Sequence, residues 1–144
     1  MKITIHLALF FTLAVLGLSA CSKEKKIERS LFKKDGVWDV TSVHHLYYSY
    51  DSLISDETYY THPAFVFYKR GKFEWENGSV TGTWLNTDDD IVITLDQPSL
   101  NSSNVYIFQI IEESKGEMTL KRTRSVVDMG SWTSIDTYRI KRRK

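Results

Sequence analysis

The sequence is poor in cysteine, in net charge and in long apolar runs, and each shortage excludes a structural feature or a class of partner. Its 144 residues contain one cysteine, Cys21, so no disulfide forms within the chain. The apolar run from Leu7 to Leu18 is shorter than the about 20 residues that a helix needs to cross a bilayer. Basic side chains number 19 and acidic side chains 18. This balance argues against a nucleic-acid-binding protein and against a protein held on membranes by charge.

Local patterns typical of an enzyme are also missing. The sequence has no serine elbow, cysteine nucleophile, Gly-rich phosphate loop or paired-carboxylate motif. His44 and His45 are neighbours, so on a regular strand they point to opposite faces and cannot chelate one ion. We therefore predict no catalytic residue, no metal site and no cofactor. The alternative is an enzyme whose acid–base groups come together from distant parts of the chain.

The first twenty residues have the composition of a secretory signal peptide. Lys2 is followed by the apolar run, and the small residues Ser19 and Ala20 precede Cys21. The tetrapeptide that ends at Cys21, "LSAC", resembles the lipobox of bacterial lipoproteins. The resemblance implies that residues 1–20 are removed and that the Cys21 thiol carries a diacylglycerol. It places the protein in the cell envelope, and Ser22 is compatible with sorting to the outer membrane. The alternative is an ordinary signal peptide that ends in a cysteine by chance.

Residues 21–35 are highly polar, with six basic side chains at Lys23, Lys25, Lys26, Arg29, Lys33 and Lys34. We interpret this segment as a spacer between the lipidated cysteine and one folded domain, residues 36–144. Removal of residues 1–20 takes away a single charged residue, Lys2, and leaves 18 basic and 18 acidic side chains. The mature chain is therefore neutral.

The rest of the sequence alternates between apolar and polar residues with the period of a β-strand. In "KFEWE", Phe73 and Trp75 share one face, and the next residues, Asn77-Gly78, are a strong signal for a two-residue hairpin turn. About eight such segments follow one another through short turns. We predict an all-β fold, an antiparallel up-and-down barrel of about eight strands, because closure removes free strand edges. A β-sandwich is the main alternative.

Three stretches carry a family resemblance: "GVW" at Gly36–Trp38, the segment "FVFYKRGKFEWENGSVTGTW", and "YIFQIIEESKGEMTLKR". They resemble the motifs of lipocalin-like lipoproteins from diderm bacteria over roughly residues 36–122. The resemblance implies a lipocalin-like barrel in which Trp38 closes one end beneath an arginine of the last strand. Arg139 is the residue that matches this arginine, and Lys141 on the same strand face is the alternative.

Two tyrosine clusters flank a polar turn and provide the candidate ligand site. A hairpin would bring the cluster at residues 47–50 close to the pair at residues 59–60, either as cross-strand packing or as a binding lip at the mouth of the barrel. His44 shares the even-numbered face of its strand with Trp38, so we expect it to point inward. The predicted ligand-binding residues are His44, Tyr48, Tyr50, Tyr59 and Tyr60.

These features favour a binding module that is tethered to a membrane through its lipid. It would hold a small apolar or amphipathic ligand, or an envelope protein, and no nucleic acid. The alternative is an accessory subunit of an envelope complex with a solidly packed barrel. That alternative draws on the large aromatic residues that are expected to point inward, which are Trp38, Phe65, Phe67, Phe73, Trp75 and Trp84.

Overall fold

Nine antiparallel strands dominate the computed structural model, which describes residues 23–97, 104–126 and 131–144. Residues 23–31 form helix α1, and a 3-10 turn follows at Lys34–Gly36. The strands are β1 (Val37–Ser49), β2 (Ser52–Tyr59), β3 (Phe65–Phe67), β4 (Lys72–Trp75), β5 (Thr81–Asn86), β6 (Asp90–Leu95), β7 (Val105–Ser114), β8 (Glu117–Val126) and β9 (Trp132–Arg142).

Strand β1 closes the sheet into a barrel. It pairs with β9 from Trp38 opposite Arg142 to Ser49 opposite Trp132, and its first residues pair with β3. Strands β3 to β9 each pair with the next, so β1 and β3–β9 form a closed ring of eight. Strand β2 lies outside this ring and pairs with the second half of β1. The predicted all-β barrel of about eight antiparallel strands is confirmed, and the sandwich is excluded.

The connection between β4 and β5 differs from the predicted two-residue turn. The Trp75 amide bonds the Val80 carbonyl at 3.0 Å, so four residues, 76–79, lie between the paired positions. Gly78 has a φ of +66°, whereas Asn77 keeps a negative φ and its Oδ1 accepts the Ser79 amide at 3.0 Å. A type I′ turn needs a positive φ at both central residues, and only Gly78 provides it.

An irregularity in β1 reverses which face of the strand points inward. The register with β9 shifts between Val40 and Ser42, which makes Thr41 an extra residue in β1. Before the shift the even-numbered Trp38 and Val40 are buried, and after it the odd-numbered Val43 is buried. One inserted residue moves every later side chain to the opposite face. The prediction that His44 points inward is therefore wrong, and His45 takes that position.

Helix α1 packs against one end of the barrel. Ile27 and Leu31 lie four residues apart, so they share one helix face, and they are 1% and 0% exposed within the core. The Asn86 side chain donates to the Glu24 carbonyl at 3.1 Å and joins the helix to the end of β5. The described part of the predicted spacer, from residue 23 onward, is therefore part of the folded domain.

The remaining N-terminal predictions lie outside the described residues. These are the signal peptide, residues 1–20, and the lipid-attachment residue Cys21. Within the described ranges, no helix is both long enough and apolar enough to cross a membrane.

Trp38 is fully buried beside α1, and its indole N–H donates to the Leu31 carbonyl at 2.8 Å. The guanidinium that covers it belongs to Arg142, which lies directly opposite Trp38 in the β1–β9 register. The predicted partner Arg139 is exposed, and so is the alternative Lys141. The reason is strand parity, because the inward face of β9 carries the even-numbered residues 134–142. The arginine that closes the barrel is therefore Arg142.

Candidate functional site

A cavity of about 200 Å³ lies inside the barrel, toward the end where β4 turns into β5. Helix α1 packs at the opposite end. Seven of the lining residues carry rings, and the polar groups are few. The lining consists of His62, Phe65, Phe73, Trp75, Val80, Ile93, Leu95, Gln97, Tyr106, Phe108, Arg122 and Tyr138. An apolar cavity with a few polar groups is the usual form of a small-molecule site.

Three neighbouring strands place an ionic cluster on the inner wall. Asp136 on β9 lies directly opposite Arg122 on β8 and His45 on β1. Its Oδ2 accepts hydrogen bonds from Nη2 and Nε of Arg122 at 2.6 and 3.1 Å, and its Oδ1 lies 2.6 Å from Nδ1 of His45. Asp136 is only 4% exposed, so these partners replace the water that the carboxylate has lost.

The electrostatic environment keeps the Asp136 carboxyl ionised. Burial alone raises its pKa, but the hydrogen bonds from His45 and Arg122 and the charges of Arg122 and Arg124 outweigh burial. The net result is a pKa below the usual value for aspartate. Because an ionised carboxylate only accepts hydrogen bonds, Nδ1 of His45 carries the proton in its bond to Asp136.

Arg122 contacts both the ionic cluster and the aromatic wall of the cavity. Its guanidinium carbon lies 4.9 Å from the ring centre of Tyr106 and 5.9 Å from those of Phe108 and Tyr138. The bonds to Asp136 occupy Nε and Nη2, and Nη1 has no hydrogen-bond partner among the described residues. The side chain is 13% exposed, and Nη1 is not among the fully buried atoms without a partner, so this nitrogen keeps some access to solvent.

Two further polar groups in the lining lack a protein partner in the described ranges. The hydroxyl of Tyr138 bonds to no side chain or backbone group there, although Tyr138 is only 6% exposed. Burial raises the pKa of this phenol, so the hydroxyl keeps its proton at neutral pH. His62 donates from Nδ1 to the Pro63 carbonyl at 2.8 Å, because a carbonyl only accepts. Nε2 of His62 then has no hydrogen-bond partner in the described ranges.

The predicted ligand residues do not line this cavity. His44 points outward, where its Nε2 lies 2.8 Å from Oδ1 of Asp56 and both side chains are well exposed. The hairpin of β1 and β2 exists, but Tyr48 lies opposite Leu53 and Tyr59 opposite Val43. The two tyrosine clusters are therefore not paired across the hairpin. Three of the four predicted tyrosines are strongly exposed, namely Tyr50, Tyr59 and Tyr60.

Sequence reasoning missed the residues that form the cavity's polar wall. These are His62, Arg122 and Tyr138. It also missed Asp136, which bonds Arg122, and His45, which bonds Asp136, although neither of these two lines the cavity. A signal was available in "SIDTYRI", where alternation puts Ser134, Asp136, Tyr138 and Ile140 on one face. A single carboxylate on an otherwise apolar inward face needs a buried partner, and this points to a functional or structural cluster.

Two larger depressions lie elsewhere, with volumes of about 570 and 430 Å³. Both border the β7–β8 hairpin and are lined mainly by charged and polar side chains. In the described ranges, no three histidine, cysteine, aspartate or glutamate side chains are arranged to hold a metal ion. The 200 Å³ cavity is the one that combines an apolar wall with polar groups that lack partners, and we take it as the candidate site.

No family model, no curated protein and no solved structure matches the chain, so the candidate site is assigned from its geometry alone.

Proposed function

We propose that the protein is a lipid-anchored envelope protein that binds a small amphipathic molecule in its barrel cavity, without catalysing a reaction. The observation that carries the proposal is the set of unpaired polar groups in the aromatic cavity, on Arg122, Tyr138 and His62. These atoms are not among the fully buried ones without a partner, so they reach solvent from the cavity. A ligand that covers them must supply hydrogen bonds in place of those to water. A ligand with an apolar body and a polar head would satisfy both parts of this wall.

The size of the cavity limits the ligand. A volume of about 200 Å³ lies below the about 300–1,000 Å³ that is common for drug-sized ligands. At about 20–30 Å³ for each non-hydrogen atom, it holds a molecule of roughly ten such atoms or fewer. The aromatic side chains of the other half of the barrel fill the remaining interior, and this packing argues against a long lipid chain.

The lipid anchor is proposed from the sequence around Cys21, and the fold is compatible with it. The described part of α1 begins two residues after Cys21, and α1 packs at the barrel end opposite the cavity. An anchor at this end would leave the cavity end facing away from the membrane. We place the protein at the outer membrane, because of Ser22 and the resemblance to lipoproteins of diderm bacteria.

A second candidate function is docking to an envelope protein, and strand β2 is the observation that favours it. Among the described strands, β2 pairs only with β1, so it lies at an edge outside the barrel. Leu53 and Ile54, which are adjacent on β2, are 52% and 61% exposed, so this edge strand presents aliphatic side chains to solvent. Edge strands of this kind can pair with another chain.

The binding function can be tested by filling the cavity with a larger side chain. The full chain is purified from the membrane fraction of an outer-membrane-bearing bacterium, and its retained small molecules are extracted and identified by mass spectrometry. Val80→Trp fills the cavity, and Leu85→Trp on the exposed outer side of β5 is the matched control. We expect a compound that wild type and Leu85→Trp retain and that Val80→Trp lacks. Identical extracts from all three proteins would exclude the cavity as a binding site.

A further inference from the structure

The ionic cluster at the cavity carries an excess of positive charge. Arg122 and Arg124 both approach Oδ2 of Asp136, at 2.6 and 3.7 Å, so one buried carboxylate is shared between two guanidinium groups. His45 contacts the other oxygen of the same carboxylate. Even with His45 neutral, these four residues have a net charge of +1. Arg124 is 48% exposed, so solvent screens its charge, and Arg122 is the guanidinium that lines the cavity.

Glu57 on β2 is a further carboxylate on this side of β1, since it lies opposite His45. Its oxygens accept hydrogen bonds from the hydroxyls of Ser55 and Tyr59, and the side chain is exposed to solvent. Water and salt screen an exposed charge much more than a buried one. Solvent therefore screens the Glu57 carboxylate, as it screens the half-exposed Arg124, and the buried partner of Asp136 is Arg122.

From this arrangement we infer that the ligand is a small monocarboxylate, whose carboxylate accepts hydrogen bonds from Nη1 of Arg122 and the hydroxyl of Tyr138. The inference rests on the proposed function and assigns the chemical class of its ligand. Arg122 and Tyr138 both line the cavity, and the Arg122 guanidinium lies 5.9 Å from the Tyr138 ring centre. Both groups are donors without partners in the described ranges, and a carboxylate supplies two acceptor oxygens.

Asp136 and His45 act as positioning residues in this arrangement. The two hydrogen bonds from Arg122 to Oδ2 fix the plane of the guanidinium and leave both N–H groups of Nη1 free to donate. The bond from His45 to Oδ1 holds the Asp136 carboxylate in turn. The aromatic wall then receives the apolar body of the ligand, with Phe65, Phe73 and Trp75 among its residues.

The test compares each carboxylate with its neutral amide of the same shape. The full chain in lipid nanodiscs is titrated calorimetrically with phenylacetate, phenylacetamide, hexanoate and hexanamide, and empty nanodiscs provide the background. Hydrogen bonds to charged groups are the strong ones, so we expect each carboxylate to bind about 10- to 100-fold more tightly than its amide.

Two variants test whether Arg122 and Tyr138 cause the preference for the carboxylate over the amide. The double substitution Arg122→Gln with Asp136→Asn removes both charges and keeps a hydrogen-bonding pair, and it should abolish the preference. Tyr138→Phe keeps the ring and removes the hydroxyl, so it should weaken carboxylate binding about 5- to 10-fold. Lys121→Gln changes a charge on the opposite face of β8 and is the control. Tyr138→Phe keeps the inference testable if the double variant fails to fold.

Each outcome separates this inference from the proposed function. Equal binding of carboxylate and amide would overturn the monocarboxylate assignment and leave a cavity that binds small amphipathic molecules. A carboxylate preference that survives both variants would overturn the roles of Arg122 and Tyr138. Absence of binding by all four compounds would overturn the monocarboxylate assignment, and identical extracts from wild type and Val80→Trp would also remove the proposed function.

Discussion

The guanidinium of Arg142 lies 4.7 Å from the centre of the Trp38 indole ring, at the barrel end that α1 covers. The same side chain donates from Nη2 to both the carbonyl and the hydroxyl oxygen of Ser30, at 2.9 and 2.5 Å. Arg142 therefore connects the last strand of the barrel, the first strand and the helix. This is the role that the family resemblance implied for an arginine of the last strand.

Replacement of Arg142 by alanine should destabilise the domain by about 2–3 kcal/mol, because a cation–π contact and two charged hydrogen bonds are lost. The matched control is Arg139→Ala on the exposed face of the same strand, which should cost less than about 0.5 kcal/mol. Urea denaturation followed by tryptophan fluorescence measures both values. Equal losses in the two variants would contradict the assignment of Arg142 to this position.

Helix α1 leads to a second prediction, since its apolar face is buried in the core. Leu31→Ala should lower the free energy of unfolding by about 2–5 kcal/mol, as truncation of a buried leucine does elsewhere. Lys25→Ala on the exposed side of the helix should change it by less than about 0.5 kcal/mol. If Leu31→Ala proved as mild as Lys25→Ala, residues 23–31 would behave as the spacer that the sequence predicted.

The barrel could be predicted from the sequence because its strands alternate between inward-facing apolar and outward-facing polar residues. Inward and outward positions alternate along a strand, and segments such as Phe73 to Trp75 and Ile91 to Leu95 show this directly. Helix α1 was missed for a different reason. Its two buried residues, Ile27 and Leu31, stand among lysines and glutamates, so the polar composition of the segment obscured an apolar pair at helical spacing.

The candidate site was less predictable, because it depends on register between distant strands. The irregularity at Thr41 moves His45 inward, and no residue type at that position signals it. Asp136 meets Arg122 and His45 only because β8, β9 and β1 pair in one register. Sequence separation between His45 and Asp136 is 91 residues, and no local pattern encodes such a contact.

Gly36 gives a third prediction, which concerns the "GVW" motif. Its φ is +69°, and a Cβ atom at this position would lie 1.9 Å from the backbone oxygen of Phe67. Gly36→Ala therefore combines a left-handed backbone with a backbone clash and should prevent stable folding. Gly78→Ala is the control, since its φ is +66° but a Cβ there meets nothing within 4 Å. It should cost only about 1–2 kcal/mol. Similar thermal midpoints for the two variants would contradict this explanation.

The proposed lipid on Cys21 gives the fourth prediction, which is that Cys21→Ser prevents lipid attachment. A thioether requires the thiol, so the variant should incorporate no alkyne-labelled fatty acid and should leave the membrane fraction. Cys21 is the only cysteine, and Ser22→Ala beside it serves as a control that keeps the thiol. Unchanged labelling and membrane retention of Cys21→Ser would exclude a lipid on this residue.

The last prediction is that the contribution of Asp136 to the stability of the fold depends on pH. Because its pKa is lower in the folded protein than in the unfolded chain, the carboxylate stabilises the fold at neutral pH. This contribution is lost as the pH falls below about 3.9, the usual value, and through the folded pKa. Asp136→Asn should cost about 3–5 kcal/mol at pH 7, since it leaves Arg122 without its carboxylate, and less at pH 3. Asp56→Asn, which alters an exposed pair with His44, should cost less than about 1 kcal/mol. Urea denaturation at both pH values measures these differences, and a pH-independent cost for Asp136→Asn would show that its charge does not stabilise the barrel.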